Sequence, residues 1–245
     1  MPEHELWITK LFNDHLAGIA TAILNLFRVH AENPARPWAN FVTMQIVVVI
    51  LLMVLFAILR PRLSMDRPGK FQHIFESIYM FLRGQADEAI GHEGPHYIAY
   101  FGTIFLFILF SNLIGVIPGF ESPTMFHFVP AGCALATFVY YNIMGVRAHG
   151  PVKYLAHFAG PMPLLAPLMV PIELISHLAR PLSLTIRLFA NMYAGEQVTM
   201  VFLRLTYFLI PAAFMGLHVF VSFLQAYIFM LMTMMYVAGA VSHEH

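Results

Sequence analysis

Charge is scarce in this chain. Lys, Arg, Asp and Glu make up 11% of 245 residues, against roughly 25% in an ordinary soluble domain. Thirteen basic side chains balance thirteen acidic ones, for a formal net charge of zero, which excludes a basic nucleic-acid binder. Cysteine occurs once, as Cys133, which excludes a disulfide framework and a multi-thiolate metal site. A phosphate-cradling loop is missing too: Gly69-Lys70 has neither the upstream glycine nor the following Ser or Thr. A P-loop nucleotide site is therefore excluded. Histidine is plentiful at 13, and His92-Glu-Gly-Pro-His96 has a ligand-like spacing. Gly94 and Pro95 break a helix there, however, and no second cluster follows, so a di-metal oxygenase is disfavoured. His243 and His245 read as a solvated tail. No metal and no cofactor is expected.

What fills the chain instead is apolar: 59% of residues are hydrophobic. A bilayer core of about 30 Å needs roughly 20 apolar residues in a helix. Stretches free of Asp, Glu, Lys and Arg run over Phe41–Leu59 (19 residues), Tyr97–Ile117 (21) and Val129–Val146 (18). Phe208–Val241 is 34 residues long, more than one perpendicular crossing requires, so it should tilt, bend near Pro211, or both. Leu164–Leu209 is apolar but carries Glu173, Arg180, Arg187, Glu196 and Arg204. About five crossings follow, in an all-α polytopic membrane protein whose last two helices pack as a long antiparallel pair. Phe71–Ile90 mixes Phe71, Phe75, Ile78, Phe81 and Leu82 with Gln72, Glu76, Arg83, Asp87 and Glu88, the pattern of an amphipathic helix lying on the membrane. Leu16–Phe27 reads as a short interfacial helix. The start carries Glu3 and Glu5 rather than a basic region and does not look like a cleaved signal peptide. Without a repeat or linker, residues 1–245 read as one membrane domain, with 1–40 an outer-side segment and 41–245 the helical membrane core.

Loop charge sets the orientation. Arg60, Arg62, Arg67 and Lys70 follow the first span, and Arg147 and Lys153 follow the third. The 118–128 loop has no basic residue and one acidic one, Glu121. The first and third loops therefore face the cytoplasm, the N-terminus lies outside and the C-terminus inside, as expected of a cytoplasmic-membrane protein.

A charge at mid-bilayer costs at least about 2.5–3.5 kcal/mol on insertion scales, so it usually marks an ion or substrate path. In the fourth span Glu173, His177, Arg180, Arg187 and Asn191 fall within about 40° of Glu173 around a helix, forming one polar stripe. Glu196, nine residues past Arg187, lies about 180° round from it. Arg180 and Arg204 read equally well as interfacial snorkelling residues, and His177 as an internal hydrogen-bonding group. Arg187 stays protonated. It can act as a fixed cation between two carboxylate-lined half-paths, blocking direct proton leakage. His218 and Gln225, seven apart on the last span, share a face that the antiparallel turn brings toward Asn191 and Glu196. Glu196 and His218 read as an outer relay pair, against the plainer reading of an interhelical hydrogen bond. An ion-coupled secondary transporter is the competing class, although it would usually show paired repeats and broken helices.

The segment Arg180-Pro-Leu-Ser-Leu-Thr-Ile-Arg187-Leu-Phe-Ala-Asn191-Met-Tyr-Ala-Gly-Glu196 closely resembles the signature of the subunit a family of F-type ATP synthases. His218…Leu224-Gln225-Ala-Tyr-Ile-Phe229-Met…Tyr236 resembles that family's C-terminal helix. Pro68-Gly69-Lys70-Phe71-Gln72 and Ser111-Asn112-Leu113-Ile114-Gly115…Pro118 fall in its order. The resemblance covers the chain from about Phe41 to the end.

The resemblance implies a static, non-catalytic stator subunit beside a rotating ring of c subunits, with b-type peripheral stalk subunits among its partners. Arg187 matches the family's essential arginine, which faces the ring carboxylates. Asn191, Glu196, His218 and Gln225 match positions bordering the periplasmic half-channel. Glu173 and Ser176 match positions near the cytoplasmic one, and His177 joins them by its helical face alone. The last two helices would lie nearly horizontal along the ring. Two departures stand out. Gly115 occupies a position that is acidic in some bacterial members, and Phe41–Leu59 lacks an acidic residue near its start. Glu121 and His127 in the outer loop are candidates to substitute.

Overall fold

A computed structural model of the chain describes residues 5–26, 36–64, 69–91, 93–117, 119–157, 166–205 and 209–241. Arg67, Pro68, His92, Pro118 and the tail 242–245, named above, lie outside them. The described residues form eight α-helices: α1 (Trp7–Leu26), α2 (Asn40–Leu59), α3 (Lys70–Ile90), α4 (Ile98–Ile114), α5 (Phe128–His149), α6 (Pro151–His157), α7 (Ala166–Leu205) and α8 (Leu209–Val241). No strand occurs among them.

Four segments are long and apolar enough to cross a membrane: Asn40–Arg62, Gly94–Ile114, Phe128–His149 and Ala212–Val241. The further crossing expected from the sequence is α7. It has the length, at 40 residues, but carries the charged side chains that make it the polar element of the bundle. At 1.5 Å per residue α7 runs about 60 Å and α8 about 50 Å, both well beyond a perpendicular crossing. Pro211 falls in the first turn of α8, where a proline costs no helical hydrogen bond.

Packing explains which apolar residues face inward. Along α8, Ser222, Gln225, Ala226, Phe229, Met230, Thr233, Met234 and Val237 are buried. Their three- and four-residue spacing makes one continuous face. That face meets Phe101, Phe105 and Ile108 of α4, Tyr141 and Cys133 of α5, and Leu184, Leu188 and Met192 of α7 in one apolar core. By contrast α2 is apolar all round, yet only Asn40, Thr43, Met44 and Val48 are buried. The rest of its surface suits lipid or a membrane partner. A cavity of about 1070 Å³ opens between α2, α3 and α4, lined by Leu52, Phe56, Phe75, Ile78 and Phe107 among others.

The amphipathic segment is a helix with nearly the expected bounds. Leu82 and Ala86 of α3 enter the core, while Phe71, Ile74, Met80 and Phe81 stay exposed. The N-terminal helix differs from expectation, beginning at Trp7 rather than Leu16. Its polar first half is used for docking. Asn13 accepts from the Trp38 backbone N–H at 2.9 Å and donates to the Trp38 carbonyl at 3.2 Å. Trp38 Nε1 donates to the Leu16 carbonyl at 3.0 Å.

Candidate functional site

Helices α7 and α8 run antiparallel, and their contacts form an ordered series. Arg180 lies over the Tyr236 ring at 5.3 Å. Asn191 Nδ2 donates to Gln225 Oε1 at 2.7 Å. Gly195 meets His218, and the Phe202 and Phe214 rings stack at 4.3 Å. Gly195 matters sterically, since a Cβ there would fall 3.2 Å from His218 Nδ1. The glycine lets an imidazole sit against the α7 backbone, next to Glu196.

At the α5 side of the seam, His177 is buried within a polar network that composition did not reveal. Its Nε2 lies 2.9 Å from Asn142 Oδ1. Asn142 Nδ2 donates to the Phe138 carbonyl at 2.6 Å, so Oδ1 is the acceptor and His177 Nε2 must carry the proton. Tyr154 on α6 donates to the same Oδ1 at 2.9 Å, and the Tyr141 hydroxyl lies 3.3 Å from His177 Nε2. Burial pushes the Tyr154 phenol above its usual range, partly offset by the Arg180 charge, so it stays a donor at neutral pH. Glu173 pairs with Arg180 at 3.7 Å. Tyr141, Tyr154, Glu173, His177 and Arg180 surround a cavity of about 60 Å³, polar and large enough to hold water.

At the other end the pattern changes from satisfied groups to unsatisfied ones. Ser111 Oγ on α4, Glu196 Oε2 on α7, and His218 Nε2, Ser222 Oγ and Gln225 Nε2 on α8 are all buried without a hydrogen-bond partner. Such atoms are uncommon in native interiors. Around them the connection between α4 and α5 folds inward. Ser122 Oγ donates to the Ser111 carbonyl at 2.9 Å, Thr124 Oγ1 donates to Asn112 Oδ1 at 2.6 Å, and Asn112 Nδ2 reaches the Ser222 carbonyl at 3.4 Å.

Arg187 lies between these regions, half-buried, with no hydrogen bond or ion pair among the described residues. On one side of it runs the polar seam. On the other, Ser176, Ala179, Ser183, Ala190 and Ala194 are exposed and fall on one strip of the helix by their spacing. The structure thus brings Asn191 to Gln225, and His218 to the Gly195–Glu196 turn. It keeps Glu173 and His177 at the far end and leaves Ser176 exposed beside the strip. Sequence reading missed Ser111, Tyr141, Asn142, Tyr154 and Ser222, whose uncharged side chains do not stand out within apolar helices. No group of three or more His, Cys, Asp or Glu suited to a metal ion occurs among the described residues.

Comparisons with known proteins agree on one family. Residues 41–238 match the family model described as ATP synthase A chain. An ATP synthase subunit a of Solibacter usitatus is 74% identical over 235 residues, covering 96% of this chain and 100% of that protein. The subunit a of Koribacter versatilis is 46% identical, covering 99% of each. That of Geotalea daltonii is 42% identical over 80% of this chain and 86% of its own. With a matched model across most of its length and relatives this similar end to end, the chain belongs to the ATP synthase A chain family.

Proposed function

We propose that the chain is the proton-translocating stator of an ATP synthase membrane sector, acting as one membrane unit. Arg187 separates two offset half-channels. The observation that carries this reading is the placement of Arg187, a fixed cation without a polar partner among the described residues, beside an exposed strip of small side chains. Small residues let a neighbouring membrane helix approach closely, and a carboxylate on that helix would complete the ion pair. A ring of c subunits supplies such helices. Arg187 then favours the ionised form of each passing carboxylate, whose proton leaves to water of the exit half-channel, and its fixed charge prevents direct leakage between the half-channels.

Asn191, Glu196, His218 and Gln225 line the half-channel on the outer side. Glu173, Ser176 and His177 belong to the inner one, beside the small polar cavity. The N-terminus lies outside and the C-terminus in the cytoplasm of a bacterial inner membrane. b-type stalk subunits pack on the apolar surface away from the α7 strip. The chain hydrolyses no nucleotide by itself. The names of the relatives give no support to an ion-coupled transporter.

The test is reconstitution. The purified chain alone should show neither ATP hydrolysis nor steady proton conductance, and gentle purification should bring a ring of small two-helix proteolipids with it. ATP turnover by the isolated chain, or its consistent purification without such a ring, overturns the reading.

A further inference from the structure

In the connection between α4 and α5, Gly115 is pinned: a Cβ there would fall 2.7 Å from Ser122 Cβ and 3.0 Å from Ser122 N. No side chain can project from position 115 toward the seam, because the returning 120–125 segment fills that space. This segment brings its own carboxylate. Glu121, half-buried, accepts a hydrogen bond from Asn40 Nδ2 of α2 at 3.3 Å, and the next residue, Ser122, is fully buried against α4. Glu121 is thus held from two sides at the mouth of the cluster of unsatisfied atoms on Ser111, Glu196, His218, Ser222 and Gln225. Five such atoms lie along three facing helices, and buried polar groups of this kind otherwise find partners in protein or in water. The carboxylates of Glu121 and Glu196 are also near enough to interact electrostatically.

We propose that Glu121 is the entry carboxylate of the outer half-channel, passing protons through the Ser111–Ser222 seam to Glu196. The inference rests on the stator reading above. In each transfer the Glu121 carboxylic acid loses its proton to seam water, a proton leaves that water for the Glu196 carboxylate, and Glu121 is reprotonated from the outer solution. Protonating either carboxylate relieves its repulsion with the other, so the pair passes one proton at a time. The chain thereby places on the loop at 121 the acid that position 115, a glycine, cannot supply.

Glu121→Gln tests this, because the amide oxygen can still accept from Asn40 Nδ2 while the titratable carboxyl is lost. Vesicles carrying the whole complex are assayed for ATP-driven proton pumping, with ATP hydrolysis and the amount of chain as assembly controls. Proton-transfer groups are typically worth 10²–10⁴-fold, and because water can bypass an entry group the expected loss is about tenfold or more. Glu121→Asp should keep most of the rate. Full pumping by Glu121→Gln, or equal losses in the Gln and Asp variants, overturns the proposal. If Glu121→Gln pumps normally while Arg187→Ala is dead, only the role of Glu121 falls. If both pump normally, the stator reading falls with it.

Discussion

Truncating Arg187 should separate a charge kept for its function from one kept for the fold. Its guanidinium makes no ion pair or hydrogen bond among the described residues, so Arg187→Ala breaks no polar contact there. On insertion scales a central arginine costs about 2.5–3.5 kcal/mol, and alanine refunds part of that. The variant should therefore insert and assemble at least as well as the wild type. Arg180 provides the contrast. Its pair with Glu173 spans 3.7 Å, with side chains 32% and 40% exposed, so screening limits it to about 0–1 kcal/mol. The Tyr236 face at 5.3 Å adds about 0.5–1 kcal/mol. Arg180→Ala should thus lower thermal stability by about 0.5–2 kcal/mol while leaving some pumping. Arg187→Ala should abolish ATP-driven pumping at wild-type stability, and Arg187→Lys should do nearly the same, because an ammonium is a compact charge with a shiftable pKa rather than a planar fork. The measurements are dye-reported acidification of vesicles containing the whole complex, and thermal unfolding of the purified complex. Normal pumping by Arg187→Ala, or its loss from the membrane, refutes the reasoning.

Exchanging Glu196 and His218 (Glu196→His with His218→Glu) should restore part of the proton flux that each single change removes, because a relay needs two titratable groups in either order. Normal pumping by Glu196→Gln would show that hydrogen bonding alone suffices. Gly145→Ala should destabilise the α5–α6 corner by about 1–3 kcal/mol through overpacking, since its Cβ would run into the Tyr154 ring. Adding Tyr154→Ala should remove most of that penalty in a double-mutant cycle, and additive losses in thermal unfolding would contradict the contact.

Much of the fold is legible because charge avoids the bilayer. The charge-free stretch Phe41–Leu59 becomes α2 (Asn40–Leu59), and Phe208–Val241 becomes α8 (Leu209–Val241). The run Tyr97–Ile117 overshoots α4, which stops at Ile114, where the tight return past Gly115 begins. The start of α1 is not legible, because Thr9, Asn13 and Asp14 look like loop residues until Trp38 is seen docking on Asn13. In the site, Glu173, Arg187, Glu196 and His218 stand out because such groups are costly among lipids. Hydroxyls do not, since they usually bond to their own helix, as Thr185 does to the Pro181 carbonyl at 2.8 Å and Thr233 to that of Phe229 at 2.8 Å. That Ser111 and Ser222 lack such a bond is visible only in three dimensions. The His177–Asn142–Tyr154 network joins three helices, and no periodicity within one helix announces it.

The solitary thiol of Cys133 has a practical consequence. It is packed inside the bundle, 8% exposed, and burial in apolar surroundings makes a cysteine inert. The native sequence is therefore already a silent background for labelling. A cysteine placed at Ser111, Ser222 or Asn191 would be the one reporter that a small water-borne alkylating reagent can find. The wetted outline of the proton route can then be drawn residue by residue, without first rebuilding the chain.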